Sequence, residues 1–130
     1  IVYVGGDRQP GSLPNDIGAT NFTSRMFRGD RDGGWTPITH EGTSNDSAPH
    51  ADSRAQAFHP TLGMIEADDG GIFLRTDPSG NGEWISLNGT MQVTELTNIA
   101  YDNNSHILFG GSQDNGTTQQ SATNAPVWNL

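Results

Sequence analysis

His50, Asp52 and Arg54 stand at alternating positions, and Glu66, Asp68 and Asp69 follow shortly after. If the backbone is extended, alternation turns His50, Asp52 and Arg54 to one side, and Glu66 and Asp68 likewise. A histidine and several carboxylates brought close can hold a divalent cation, with Glu66, Asp68 and Asp69 as the metal ligands, or supply a paired acid and base for glycoside hydrolysis. The same residues also suit a plain hairpin corner, in which Asp69 ahead of Gly70 and Gly71 caps backbone amides and Arg54 pairs with an acid. All three uses fit the residue types. Arg8 in GGDRQPG offers a planar fork to a carboxylate or a sugar hydroxyl, and Asp114 lies in the turn-like run SQDNGT. The ligand-binding candidates are therefore His50, Asp52, Arg54, Asp114 and Arg8.

The elements that must carry these residues are short strands. Ala57–Trp84 is echoed by Ala100–Gly116: a small residue, an aromatic, a polar turn, a hydrophobic pair and a Gly/Asp-rich corner recur in order. Ala57 to Ala100, Met64 to Ile107 and Ile65 to Leu108 are each offset by 43 residues, the spacing of one four-stranded propeller blade. Strand-like runs fall at 2–5, 25–28 and 35–39. A polar stretch from His40 to Pro49 reads as a boundary or flexible excursion. Four runs follow at 55–58, 64–67, 72–76 and 83–87, then 96–101, 106–109 and the Val127, Trp128 pair. Ser112–Ala125, rich in Gln, Asn, Thr and Ser, reads as loop or disorder. Phe27 with Trp35 and Phe73 with Trp84 sit in matching contexts, where a strand ends in a Gly/Asp turn and a Trp opens the next strand.

The expected fold is all-β, with about two to three β-propeller blades in an incomplete ring: a partial blade over 1–45, a complete one over 46–90 and a partial one over 91–130. Four blades would already need roughly 170 residues, and the chain has 130 and opens on a hydrophobic strand without an initiator Met. It is expected to be a piece of a longer polypeptide, or a unit whose ring is completed by other copies.

Composition narrows the function. Fifteen acids against six bases, every base an arginine, give a net charge of −9. That field repels phosphate backbones and anionic lipid, so nucleic acid is not an expected partner. It suits calcium, whose preferred ligands are carboxylates and carbonyls, and equally a solvated acidic surface. Cysteine is absent, which removes disulfides and thiolate metal sites. Seventeen glycines with 32% hydrophobic residues describe tight turns between short strands, and no apolar run has the roughly 20 residues a membrane-crossing helix needs. The sequence carries no His-Glu-x-x-His, no Gly-x-Ser-x-Gly and no lysine for a phosphate loop, so none of those hydrolytic or nucleotide chemistries is expected.

GDRDGGW and TDPSGNGEW resemble the Asp-box turn of sialidase-like (BNR) and VPS10-like β-propellers. Asp30 stands five residues before Trp35, as in that motif, with Asp32 at the usual Gly position; Asp77 stands seven before Trp84. His50–Asp77 is similar to a further segment of this superfamily, keeping His50, Asp52, Phe58, Pro60, Asp69, Gly70 and Gly71, with Arg54 and His59 where His and Asp are common. SQDNGT resembles its Gln-Asp-Asn-Gly-Thr turn. Together these stretches cover about two-thirds of the chain and look closest to large extracellular bacterial propellers. The resemblance implies a secreted or cell-surface scaffold that binds carbohydrate or protein, with calcium as a possible structural ion. It also implies a glycoside hydrolase fragment as the alternative, although the Phe/Tyr-Arg-Ile-Pro motif of sialidases is missing. A structural surface or filament component is the third alternative.

Overall fold

The structure, a computed structural model, describes residues 1–91, 94–113 and 116–129. It is all-β. Among the described residues there are three antiparallel sheets and no α-helix, and none of the sheets closes on itself. The chain divides into two compact units, the first ending at Met91.

The first unit holds two sheets. β1 (Val2–Arg8), β2 (Ser24–Gly29) and β3 (Trp35–Pro37) pair in chain order. β4 (Ala55–His59), β5 (Gly63–Asp68), β6 (Gly71–Arg75) and β7 (Trp84–Ser86) do the same. Period-2 alternation sets the faces. Along β5, Met64, Glu66 and Asp68 are buried, while Ile65 and Ala67 on the other face are half-buried. Met26, Ile38, Met64 and Trp84 form the core of this unit, with Tyr3 and Phe73 packed against it. Burying one indole removes on the order of 200 Å² from water, about 5 kcal/mol of transfer free energy, so Trp84 is a large part of a small core. Its Nε1 donates to the Ile38 carbonyl at 2.7 Å.

Arg75 crosses behind Trp84. It is fully buried, and its guanidinium donates to the carbonyls of Gly82 (2.6 Å), Gly42 (2.8 Å) and Gly80 (2.9 Å). Asp77 finishes the turn it braces, accepting from the Ser79 and Gly80 amides and the Ser79 hydroxyl through Oδ1. Tyr3 Oη donates to the Pro78 carbonyl at 3.0 Å, tying β1 to the same turn.

The second unit is one sheet, β8 (Leu96–Asp102), β9 (Ile107–Ser112), β10 (Gly116–Gln120) and β11 (Trp128–Asn129), again paired in chain order. Two expectations change here. Gly116–Gln120 was expected to be loop or disorder, but it is a strand that pairs with both β9 and β11. Its Thr-Thr-Gln-Gln sequence has no apolar alternation to reveal it; the ladder on both sides holds it. The 43-residue offset holds for Ala57 and Ala100 but not beyond the first turn. His59 closes on Gly63, whereas Asp102 closes on Ile107, so the later turn has one extra residue and Met64 corresponds to Leu108.

Register makes the repeat explicit. Gly29 faces Trp35, Arg75 faces Trp84, and Gln120 faces Trp128. In each sheet a tryptophan opens the last strand opposite the end of the strand before it. Gln120 also repeats part of the Arg75 role, donating through Nε2 to the Ala125 carbonyl within the following turn at 3.1 Å.

The stretch from His40 to Pro49 is anchored by three buried residues, while Glu41 and Ser44–Asp46 face solvent. His40–Gly42 forms a 3-10 turn, and His40, Thr43 and Pro49 are buried. His40 lies between Thr23 Oγ1 (2.6 Å from Nε2) and Asp46 Oδ1 (3.1 Å from Nδ1). It thus ties the β1–β2 excursion to the loop.

Candidate functional site

The His50–Arg54 segment packs beside the β5–β6 corner. Asp68 and Gly71 are the closing pair of that corner, and Gly71 has φ +124°, a conformation glycine adopts readily. Asn88 clamps it: Oδ1 accepts from the Ile72 amide at 2.8 Å, and Nδ2 donates to the Gly70 carbonyl at 2.7 Å. The His50 ring lies where a Gly70 side chain would stand.

The expected alternation fails at Asp52, whose φ of +63° breaks the extended path. His50, Asp52 and Arg54 consequently have separate partners. His50 sits against Gly70, with Nδ1 3.2 Å from the Ala51 carbonyl oxygen. Arg54 grips Asp69 bidentately, Nε to Oδ1 at 2.7 Å and Nη2 to Oδ2 at 2.9 Å. That hydrogen bond, with the Arg54 charge, holds the Asp69 carboxyl below its ordinary value. Asp52 shares a hydrogen bond with Asp7 of β1, which raises Asp52. Asp7 is lowered, first by the Arg8 amide, 2.6 Å from its Oδ1, and then by Asp52. The sequence offered no cue to Asp7, because β1 pairs within another sheet.

Glu66 and Asp68 do share a side, as alternation predicted. Glu66 is fully buried and Asp68 is 9% exposed. Burial, and then a hydrogen bond to Asp68, push Glu66 up to about 8, with Ser53 acting in the opposite sense. Burial raises Asp68 too, opposed by the hydrogen bond from Glu66, the Gly70 and Gly71 amides and the His50 charge. Neither Glu66 oxygen nor Asp68 Oδ2 has a conventional donor. Burial of two adjacent carboxyls favours the protonated form of Glu66 beside Asp68. A cleft of about 300 Å³ opens nearby between Tyr3–Gly5 and Ser53–Gln56.

Glu66, Asp68 and Asp69 do not converge as a ligand set, since Asp69 turns to Arg54 while the other two face inward. Among the described residues, no three His, Asp or Glu side chains form a group able to hold a metal ion. Arg8 stacks over the Phe22 ring at 4.8 Å. Asp114 lies outside the described residues.

Two polar residues with structural weight escaped sequence reasoning. Arg75 ends the apolar run IFLR and reads there as a solvent-facing strand end. His40 sits in a polar stretch without hydrophobic periodicity, so nothing local marked it as buried. No family model matches the chain, and neither a curated protein nor a solved structure matches it.

Proposed function

We propose that the chain is a segment of an extracellular β-propeller that acts as a carbohydrate- or protein-binding scaffold, with its remaining blades supplied by the same longer polypeptide or by other copies. The observation that carries this reading is the shared register in which Trp35, Trp84 and Trp128 each open the last strand of a chain-order meander. A propeller is the architecture that repeats four-stranded units at about this spacing, and the three-stranded first sheet is read as a partial blade. The turns before Trp35 and Trp84, braced by Asp30 and Asp77 through neighbouring amides, are consistent with it.

Binding is favoured over turnover by the state of the acids. Glu66 is fully buried and in hydrogen-bond contact with Asp68. Glycoside hydrolysis needs two carboxyls roughly 5 to 9.5 Å apart that reach the substrate. A crystal structure tests the architecture: sheets set around a common axis support it, and a face-to-face sandwich overturns it. A glycan array and an affinity screen then separate carbohydrate from protein ligands. Calcium stabilisation is tested by melting with millimolar calcium and with chelator; an unmoved transition removes the ion from this reading.

A further inference from the structure

We propose that the Trp35 face of the first sheet docks a second copy of this chain, through the aliphatic face of that copy's β4–β7 sheet. The two sheets of the first unit match rung for rung. Val2, Gly29 and Trp35 lie across β1–β3 as Met64, Arg75 and Trp84 lie across β5–β7. The next rung on the same face is Val4, Phe27 and Pro37 in the first sheet, and Glu66, Phe73 and Ser86 in the second. In the second sheet this face is covered, and in the first it is bare: Trp84 is 6% exposed and Trp35 52%. Val2 and Val4 are exposed beside it, and a shallow hollow of about 370 Å³ lies among Val4, Phe27 and Trp35. An exposed apolar face of this kind marks an interaction site.

The cover over Trp84 shows what fits. It comes from the opposite side of the first sheet, where Met26 joins Ile38, Met64 and Trp84 in the core and Tyr3 packs against them. The shared register puts Ile65 at the place of Tyr3, Ile72 at that of Met26, and Leu74 and Ile85 at those of Arg28 and Thr36. The β4–β7 sheet therefore carries, on the side away from Trp84, an aliphatic counterpart of the surface that covers Trp84. Ile72 and Ile85 are exposed there. One copy can set this side against the Trp35 face of another, with Ile72 in the part that Met26 plays within the chain.

Charge permits the contact. Neither face has an ionisable side chain across these rungs, so two chains of net charge −9 meet without opposed carboxylates. Arg25, two residues along β2 and over the Phe27 ring, adds a cation beside an acidic neighbour. Because the two faces differ, the contact is heterologous and repeats from copy to copy. It rests on the blade reading, with another copy supplying the adjoining sheet.

The test is sedimentation velocity of the chain over a wide range of concentrations, where growth beyond the monomer is expected. Val4→Glu and Ile85→Glu, both at exposed positions, are each expected to weaken self-association at least about tenfold. A mixture of the two variants decides the geometry. Each keeps one intact face, so the mixture must form a one-to-one pair and grow no further. A wild-type chain that stays monomeric, an unchanged variant or a mixture that fails to pair overturns the proposal. So does normal self-association of Ile85→Glu, the mark of a symmetric contact between two Trp35 faces. Should a variant unfold, Trp35→Ser replaces Val4→Glu and Ile72→Ser replaces Ile85→Glu. A monomer leaves the blade reading standing, because that reading is decided by how the sheets are set in a crystal structure.

Discussion

At the scale of single residues, two buried ionisable groups do opposite things. Arg75 fits because its two Nη groups donate to three fixed backbone carbonyls, and the Asp77 charge favours the guanidinium against the cost of burial. Arg75→Met is expected to cost about 3–5 kcal/mol, because it strands buried carbonyls and opens a space behind Trp84. Arg75→Lys should recover little of this, since a single ammonium cannot span three divergent acceptors. Chemical denaturation of both variants checks this. Glu66 acts the other way. Its carboxyl is raised from 4.5 to about 8 in the folded chain, so the native state holds a proton that the unfolded state releases. Stability is therefore greatest below the unfolded value and falls as pH rises towards 8, with a slope of at most about 1.4 kcal/mol per pH unit. Asp68, also raised, adds in the same direction. Glu66→Gln keeps a donor for Asp68 and should flatten this slope, melting like the wild type at pH 5 and above it at pH 8. An unchanged slope in melts across that range would sink this account of the pair.

At the scale of elements, turns decide more than strands. The strands of β4–β7 were legible because period-2 alternation and Gly/Asp punctuation coincide there. β10 was not, since its residues are polar and only the flanking strands hold it. The corner at Gly71 couples strain to contact. Its φ is positive, and a side chain would collide with the Asn88 amide that clamps the loop. Gly71→Ala should cost well over 1 kcal/mol, whereas Gly33→Ala, at φ +96° with open space around it, should cost only the backbone strain of about 1 kcal/mol. Unfolding midpoints of the two variants measure the difference. Asp52 teaches a related lesson. One residue with positive φ redirected His50 and Arg54 to different neighbours, and alternation cannot anticipate such a break.

At the scale of the whole molecule, composition and topology carry separate messages. A net charge of −9 predicts that the chain will not retard a short DNA duplex at physiological salt, and a gel-shift titration checks it. Val2, Val4 and Trp35 are exposed on one face of the first sheet, and with Phe27 they leave that face apolar. The all-β class, most strand positions and the pairing of a Gly/Asp turn with a following tryptophan were determined by the sequence alone, because hydrophobic period and turn chemistry act over a few residues. Only the tertiary structure decided that Arg54 meets Asp69, that Asp7 meets Asp52 and that His40 is buried. Those outcomes depend on which strands and loops pack together over long stretches of chain, and on backbone angles at single residues such as Asp52, neither of which a local pattern encodes.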